Sequence, residues 1–106
     1  HPPFEVPVGP EPFNFQHHDD MMRLRETLQA SDRVCALFCG HVHRAATGHV
    51  GSIPTWVMPS VATPLRWGDY PTGMKECPIY YLHRFDPGWG FSTETRIVGS
   101  RTCMVA

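Results

Sequence analysis

One apolar run, residues 33–39, constrains the fold of this chain more than any other feature. It has the sequence Arg-Val-Cys-Ala-Leu-Phe-Cys and lies between Ser31-Asp32 and Gly40, which are turn signals. A short and nearly continuous apolar segment is typical of a strand buried on both faces, as in the middle of an α/β layer. We therefore expect neighbouring strands on both sides of this segment.

The residues before this run predict a helix over roughly 19–30. Met21, Leu24 and Leu28 recur at helical spacing, and Asp19 or Asp20 can cap the helix and offset its dipole. Residues 1–16 carry several prolines and phenylalanines with no period, and they predict an irregular loop.

The residues after the run predict a series of strands. Residues 45–50 and 53–58 have the pattern of two short strands joined at Gly51-Ser52, and residues 59–78 predict a long loop. Residues 79–85 and 91–98 flank Asp-Pro-Gly-Trp-Gly and predict a β-hairpin. The chain thus predicts a β-rich α/β architecture with one main helix.

Length and composition exclude several classes of protein. The chain has 106 residues, enough for one small domain, and a formal net charge of −1, which gives no electrostatic footprint for nucleic acid. No apolar run approaches the roughly 20 residues that cross a membrane. The four cysteines form no Cys-x-x-Cys motif. Reduced thiols in a cytoplasmic protein are the favoured interpretation, and a disulfide scaffold is the alternative.

A buried strand with one preceding helix is an unusual arrangement for an independent domain. The chain offers few segments that could flank the run 33–39, so we expect either a longer α/β protein of which this is the C-terminal part, or completion by partner chains. An unsatisfied strand edge favours association. We therefore predict a homo-oligomer, with strand exchange through the hairpin 79–98 as one route to it.

The residues with the clearest chemical meaning follow the apolar run directly. They are Gly40, His41, Val42, His43 and Arg44. In extended backbone, residues i and i+2 point to the same side, so the two imidazoles can converge on one point beyond the strand. Two neutral imidazoles form half of a metal site. The alternative is a chance His-x-His pair on a solvated loop.

The order of these motifs resembles the closing part of the calcineurin-like metallophosphoesterases, especially their bacterial cyclic-nucleotide and glycerophosphodiesterase-like branch. The resemblance rests on His1-Pro2-Pro3, the helix, and the strand that ends in Gly-His-Val-His, and it covers residues 1–60 best. It implies a four-layer α/β/β/α sandwich in the intact protein. It also implies a centre of two divalent metal ions (manganese, iron or zinc) that hydrolyses a phosphodiester or phosphomonoester by attack of metal-bound hydroxide.

The resemblance assigns roles to few residues of this chain. His41 and His43 would each bind one metal ion, and His1 corresponds to the second of two adjacent histidines, of which the first is the usual ligand. The family's Asp-x-His, Gly-Asp-x-x-Asp and Gly-Asn-His motifs do not occur here. We therefore expect no catalytic residue in this chain and no activity of the chain alone. The substrate would be a small phosphoester, with no nucleic acid or membrane partner.

Several residues keep two interpretations. Arg44 could bind a substrate phosphate bidentately or form a surface ion pair. His49 and His83 are interpreted as structural, and the tryptophans Trp56, Trp67 and Trp89 as core residues, with an aromatic platform for base stacking as the alternative. The rival function is a non-catalytic β-rich interaction or oligomerisation module. A small structural zinc domain using Cys35 or Cys39 with the histidines is disfavoured, because both cysteines lie inside the predicted buried strand and away from its end.

Overall fold

A main helix and two β-sheets make up the computed structural model, which describes residues 1–4, 6 and 17–99. This β-rich, mixed α/β fold agrees with the coarse fold class predicted from the sequence. The elements in chain order are helix α1 (His18–Gln29), strands β1 (Leu37–Cys39), β2 (Ala46–Val50) and β3 (Ile53–Val57), a 3-10 turn (Thr63–Leu65), the short helix α2 (Thr72–Lys75), and strands β4 (Ile79–Asp86) and β5 (Gly90–Ile97).

The first sheet has the strand order β1-β3-β2. Strand β1 pairs with β3 in parallel, with Phe38 opposite Trp56, and β2 pairs with β3 as an antiparallel hairpin closed by the Val50–Ile53 pair. The hairpin loop is Gly51-Ser52, as predicted. Gly51 has a φ of 58°, which hairpin turns of two residues require and glycine adopts at little cost.

Strand β1 differs from the prediction of a long strand buried on both faces. It contains three residues rather than seven, and Cys35, which was placed inside it, is exposed and precedes it. Among the described residues β1 has one strand neighbour, β3. The two faces of β1 are both apolar, but they have different surroundings. Cys39 faces the core, and Phe38 faces the second sheet and is 44% exposed.

Helix α1 lies within one residue of its predicted bounds. The predicted aspartate cap is wrong, because the N-cap residue is His17, which makes no capping hydrogen bond from its side chain. Asp19 and Asp20 lie instead in the first turn, where their charges still oppose the helix dipole. The guanidinium of Arg25 donates a hydrogen bond of 2.9 Å to the carbonyl of Pro3, which ties the helix to the start of the chain.

The core lies beneath the carboxyl end of β1. It is formed by a buried cluster of Val6, Cys39, Val42 and Val57, against which Phe4, Leu37 and Ala46 pack. Val42 is 1% exposed although it lies in a loop between two histidines. Burying a valine side chain stabilises a fold by roughly 1.5–3 kcal/mol, so this residue anchors the loop to the core.

The second sheet is the predicted β4–β5 hairpin, with pairs from Ile79–Ile97 to Asp86–Gly90. It packs on the first sheet through aromatic rings. The ring centroid of Phe38 lies 4.4 Å from that of His83 and 5.7 Å from that of Phe91. The hairpin therefore packs on the sheet of its own chain, and exchange between copies stays a prediction.

The cysteines correct one expectation. Cys35 and Cys39 are free, but Cys77 is disulfide-bonded, so the prediction of reduced thiols throughout is wrong. Spacing along the chain suggested isolated thiols because it does not report distances in the folded protein.

In the part of the chain that the structure describes, no helix is both long and apolar enough to cross a membrane.

Candidate metal centre

His41 and His43 lie in the loop that joins β1 to β2, directly after the carboxyl end of β1. This segment, residues 40–45, is called the histidine loop. Its side chains differ in burial: His41 is exposed, Val42 is buried and His43 is half-buried. The anchoring of Val42 in the core thus leaves the histidines on either side of it at the surface.

The backbone of the histidine loop is left-handed at both histidines. The φ angles are 74° at His41 and 59° at His43, and among the described residues no other non-glycine residue has a positive φ. The amide of Val42 donates to the carbonyl of Gly40 at 3.0 Å, which closes a three-residue γ-turn centred on His41. The sequence argument assumed extended backbone, so its reason for convergence of the two rings does not hold.

Such conformations cost free energy that the rest of the fold must supply. A non-glycine residue in a sparsely populated backbone region costs about 1–3 kcal/mol, and such residues cluster at active sites and ligand-binding loops. Glycine would adopt either position without this cost. Histidine is one of the few non-glycine residue types that are enriched at positive φ, and both positions of the loop carry it.

The imidazole of His1 lies against that of His41. The two ring centroids are 3.7 Å apart, and the planes are inclined by 31°. Phe4 packs against the core cluster that contains Cys39, and burial raises the pKa of the Cys39 thiol. The chain start, which carries His1-Pro2-Pro3, is thus packed against the end of β1.

These side chains do not by themselves make a metal site. Among residues 1–4, 6 and 17–99, no three histidine, cysteine, aspartate or glutamate side chains are grouped so that they could hold a metal ion. His43 therefore does not complete a set of three with His1 and His41. Imidazole is a suitable ligand for manganese, iron and zinc, but a centre of two metal ions also needs further ligands.

Arg44 lies beside a polar pocket next to the histidine loop. This open pocket has a volume of about 300 Å³ and is lined by Arg44, Ala45, Trp67, Gly68, Asp69, Tyr70 and Tyr81. Burial raises the pKa of Tyr70, and the positive charges of Arg66 and Arg44 oppose that shift. Arg44 is exposed and makes no ion pair with another described residue.

The other described histidines do not join this site, and two of the three tryptophans are not core residues. His17, His18 and His49 are exposed on α1 and β2. His83 is hydrogen-bonded to Thr93 (Nδ1 to Oγ1, 2.9 Å), and burial lowers its pKa. Trp67 and Trp89 are 45% and 67% exposed, contrary to the expectation that they belong to the core.

Two sets of contacts near the site were not predicted from the sequence, which indicated only a core role for Trp67. Trp67 lies 24 residues after His43, and its amide nevertheless donates to the carbonyl of His43 at 2.8 Å. Arg66, its neighbour, was not distinguished from other surface arginines. The hydrogen bond of Trp67 and the position of Arg66 have no local sequence signal, because both depend on how the long segment 59–78 folds back.

Comparison of the chain with family models, with curated proteins and with solved structures finds no match. The resemblance to metallophosphoesterases therefore depends on the quoted residues alone.

Proposed function

We propose that this chain is the C-terminal part of a dinuclear metal-dependent phosphoesterase, and that its histidine loop supplies one portion of the metal centre. The intact protein would be a calcineurin-like four-layer sandwich that hydrolyses a phosphodiester or phosphomonoester. The observation that carries the proposal is the left-handed backbone at His41 and His43, directly beyond a parallel strand, with the His1 ring 3.7 Å from His41.

The residues of this chain would bind and orient rather than transfer protons. His41 and His43 would each ligate one of two divalent ions, namely manganese, iron or zinc. When bound, such ions act as Lewis acids on the phosphoryl group. Arg44 would hold a phosphate oxygen at the edge of the site, since a guanidinium binds oxyanions through two parallel hydrogen bonds.

The chain alone would be inactive, because two or three imidazoles without a bridging carboxylate do not hold two cations close together. Purified chain with Mn²⁺ should therefore hydrolyse bis(p-nitrophenyl) phosphate no faster than buffer with Mn²⁺. The protein encoded by the intact gene should hydrolyse it, and His41→Ala in that protein should reduce kcat/KM by about 100-fold or more.

The matched control is His49→Ala, which removes an exposed histidine from β2 and should leave activity unchanged. Equal loss in both variants, or activity of the intact protein that is insensitive to His41, would contradict the proposal. Robust turnover by the 106-residue chain that disappears in His41→Ala would contradict the claim that the chain is only part of the centre.

The alternative function, a β-rich interaction or oligomerisation module, is favoured by one observation. Phe85 and Trp89 at the tip of the hairpin are 54% and 67% exposed. Exposed aromatic residues are frequent in protein interfaces. Light scattering of Trp89→Ser and wild-type chain would test this: a concentration-dependent mass that only the wild type shows supports association through the tip.

A cytoplasmic location also stays a proposal. Its argument from the sequence assumed reduced cysteines, and the disulfide at Cys77 removes that support. Disulfides are rare in the cytosol and common in oxidising compartments. Because Cys77 is buried, cells should be lysed directly into denaturant with iodoacetamide. Labelling of Cys77 without prior reduction would support a cytoplasmic location, and labelling only after reduction would contradict it.

A further inference from the structure

Arg66 is the centre of a hydrogen-bonded segment that lies against the histidine loop. Its guanidinium donates to three backbone carbonyls, those of Cys77 (2.8 Å), Lys75 (2.9 Å) and Met74. The same group lies over the ring of Tyr70, 4.6 Å from its centroid. One side chain therefore holds together residues 66–77, a stretch whose only regular structure is the single helical turn α2.

The residue that follows Arg66 makes the contact with the histidine loop. The amide of Trp67 donates to the carbonyl of His43 at 2.8 Å, and Arg44 and Trp67 form an isolated parallel bridge. His43 has a φ of 59°, so this hydrogen bond helps to offset the free-energy cost of its backbone conformation. Trp67 directly follows Arg66, whose guanidinium is held by the three hydrogen bonds.

We propose that Arg66 is a positioning residue, which acts through Trp67 to hold the backbone of His43 in its left-handed conformation. Its consequence for metal binding rests on the proposed function, but the positioning itself does not. The arrangement depends on the planar fork of the guanidinium, whose donors reach three carbonyls at once. A lysine ammonium is a compact charge on a flexible stem and cannot reproduce this geometry.

The first test is amide hydrogen exchange of the full 106-residue chain without metal. Arg66→Ala and Arg66→Lys should both accelerate exchange of the Trp67 amide by about tenfold or more, while the amides of the β4–β5 ladder keep their protection. The matched control is Arg84→Ala, an exposed arginine on β4, which should leave the Trp67 amide unchanged.

Unchanged exchange at Trp67 in both Arg66 variants would overturn the proposal. If Arg66→Ala also accelerates exchange of the hairpin amides, the Arg66→Lys variant decides between the two roles. Faster exchange in that variant that is confined to residues 66–77 and the histidine loop supports positioning. Uniform acceleration across the chain shows a general structural role and overturns it.

The second test adds Zn²⁺ alone and follows the imidazole resonances by NMR. Arg66→Ala should weaken the Zn²⁺-dependent shift of the His43 ring by about tenfold in apparent Kd, the size of effect that residues supporting metal ligands commonly have, while Arg84→Ala should not change it. Equal affinity in Arg66→Ala and wild type overturns the role toward metal but leaves the proposed function intact. No Zn²⁺-dependent shift in the wild type instead contradicts the proposed function, and the exchange experiment still decides the positioning.

Discussion

The β4–β5 hairpin and the histidine loop differ in the interactions that fix their conformations. The hairpin has eight paired positions, from Ile79–Ile97 to Asp86–Gly90, and packs on Phe38 and Trp56 through aromatic rings. The histidine loop has two left-handed residues and depends on the buried Val42 and on one amide from a distant segment.

This difference separates residues that stabilise the fold from residues that are stabilised by it. In the hairpin, backbone pairing and ring packing favour the same conformation. In the histidine loop, the histidines are held in a conformation that they do not prefer, and other parts of the fold supply the free energy. Strained residues on loops next to a rigid scaffold are typical of functional sites.

The largest expected effect concerns the two isoleucines that face each other at the open end of the hairpin. Ile79 is fully buried, and its partner Ile97 is 37% exposed. Ile79→Ala should lower the free energy of unfolding by about 2–5 kcal/mol. Ile97→Ala, the matched control, should cost below about 1.5 kcal/mol in urea denaturation. A similar loss of unfolding free energy in both variants would contradict burial of Ile79 in the core.

A smaller effect should distinguish strained from relaxed histidines. His43→Gly removes the cost of a positive φ, whereas His49→Gly places glycine in strand β2, where it is unfavourable by about 0.5–1 kcal/mol. We expect His43→Gly to be more stable than His49→Gly by about 1 kcal/mol, measured by denaturant unfolding. Equal destabilisation by both substitutions would contradict strain in the histidine loop.

The smallest expected effect is a pH dependence of hairpin packing. Burial against the rings of Phe38 and Trp56 lowers the pKa of His83 below its usual value near 6.5. The unfolded chain therefore binds the proton more tightly, so the contribution of His83 to stability is complete above about pH 6.5 and is lost as pH falls below it.

Substitution His83→Gln should remove that component from the pH profile of the melting temperature, while His49→Gln on exposed β2 should leave the profile unchanged. A profile for His83→Gln that parallels the wild type from pH 7.5 to 5 would show that His83 titrates as it does in water.

The hairpins were predictable from the sequence because their signals are local. Gly51-Ser52 and the segment 86–90 each mark a turn between residues of high strand propensity, and the observed strand bounds differ from the predicted ones by at most one residue. Helix α1 followed from the spacing of Met21, Leu24 and Leu28, although its cap did not, because several polar residues at its start could serve equally well.

The candidate site was predictable in position but not in geometry. Gly40 and the end of the apolar run located the histidine loop, whereas its left-handed backbone depends on Val42 reaching the core and on the Trp67 amide. Both contacts join residues far apart in sequence. The same limit explains the exposed face of Phe38 and the disulfide at Cys77, which no spacing rule could reveal.

The central claim is that the histidine loop is part of a metal centre, and a Zn²⁺ titration of the 106-residue chain tests it most directly. Imidazole NMR resonances of all seven histidines are followed at pH 7.5. The account predicts saturable shifts of His41 and His43, together with His1, and weaker or no shifts of His17, His18, His49 and His83. Shifts that spread equally over exposed histidines, or that leave His41 and His43 unaffected, would contradict it.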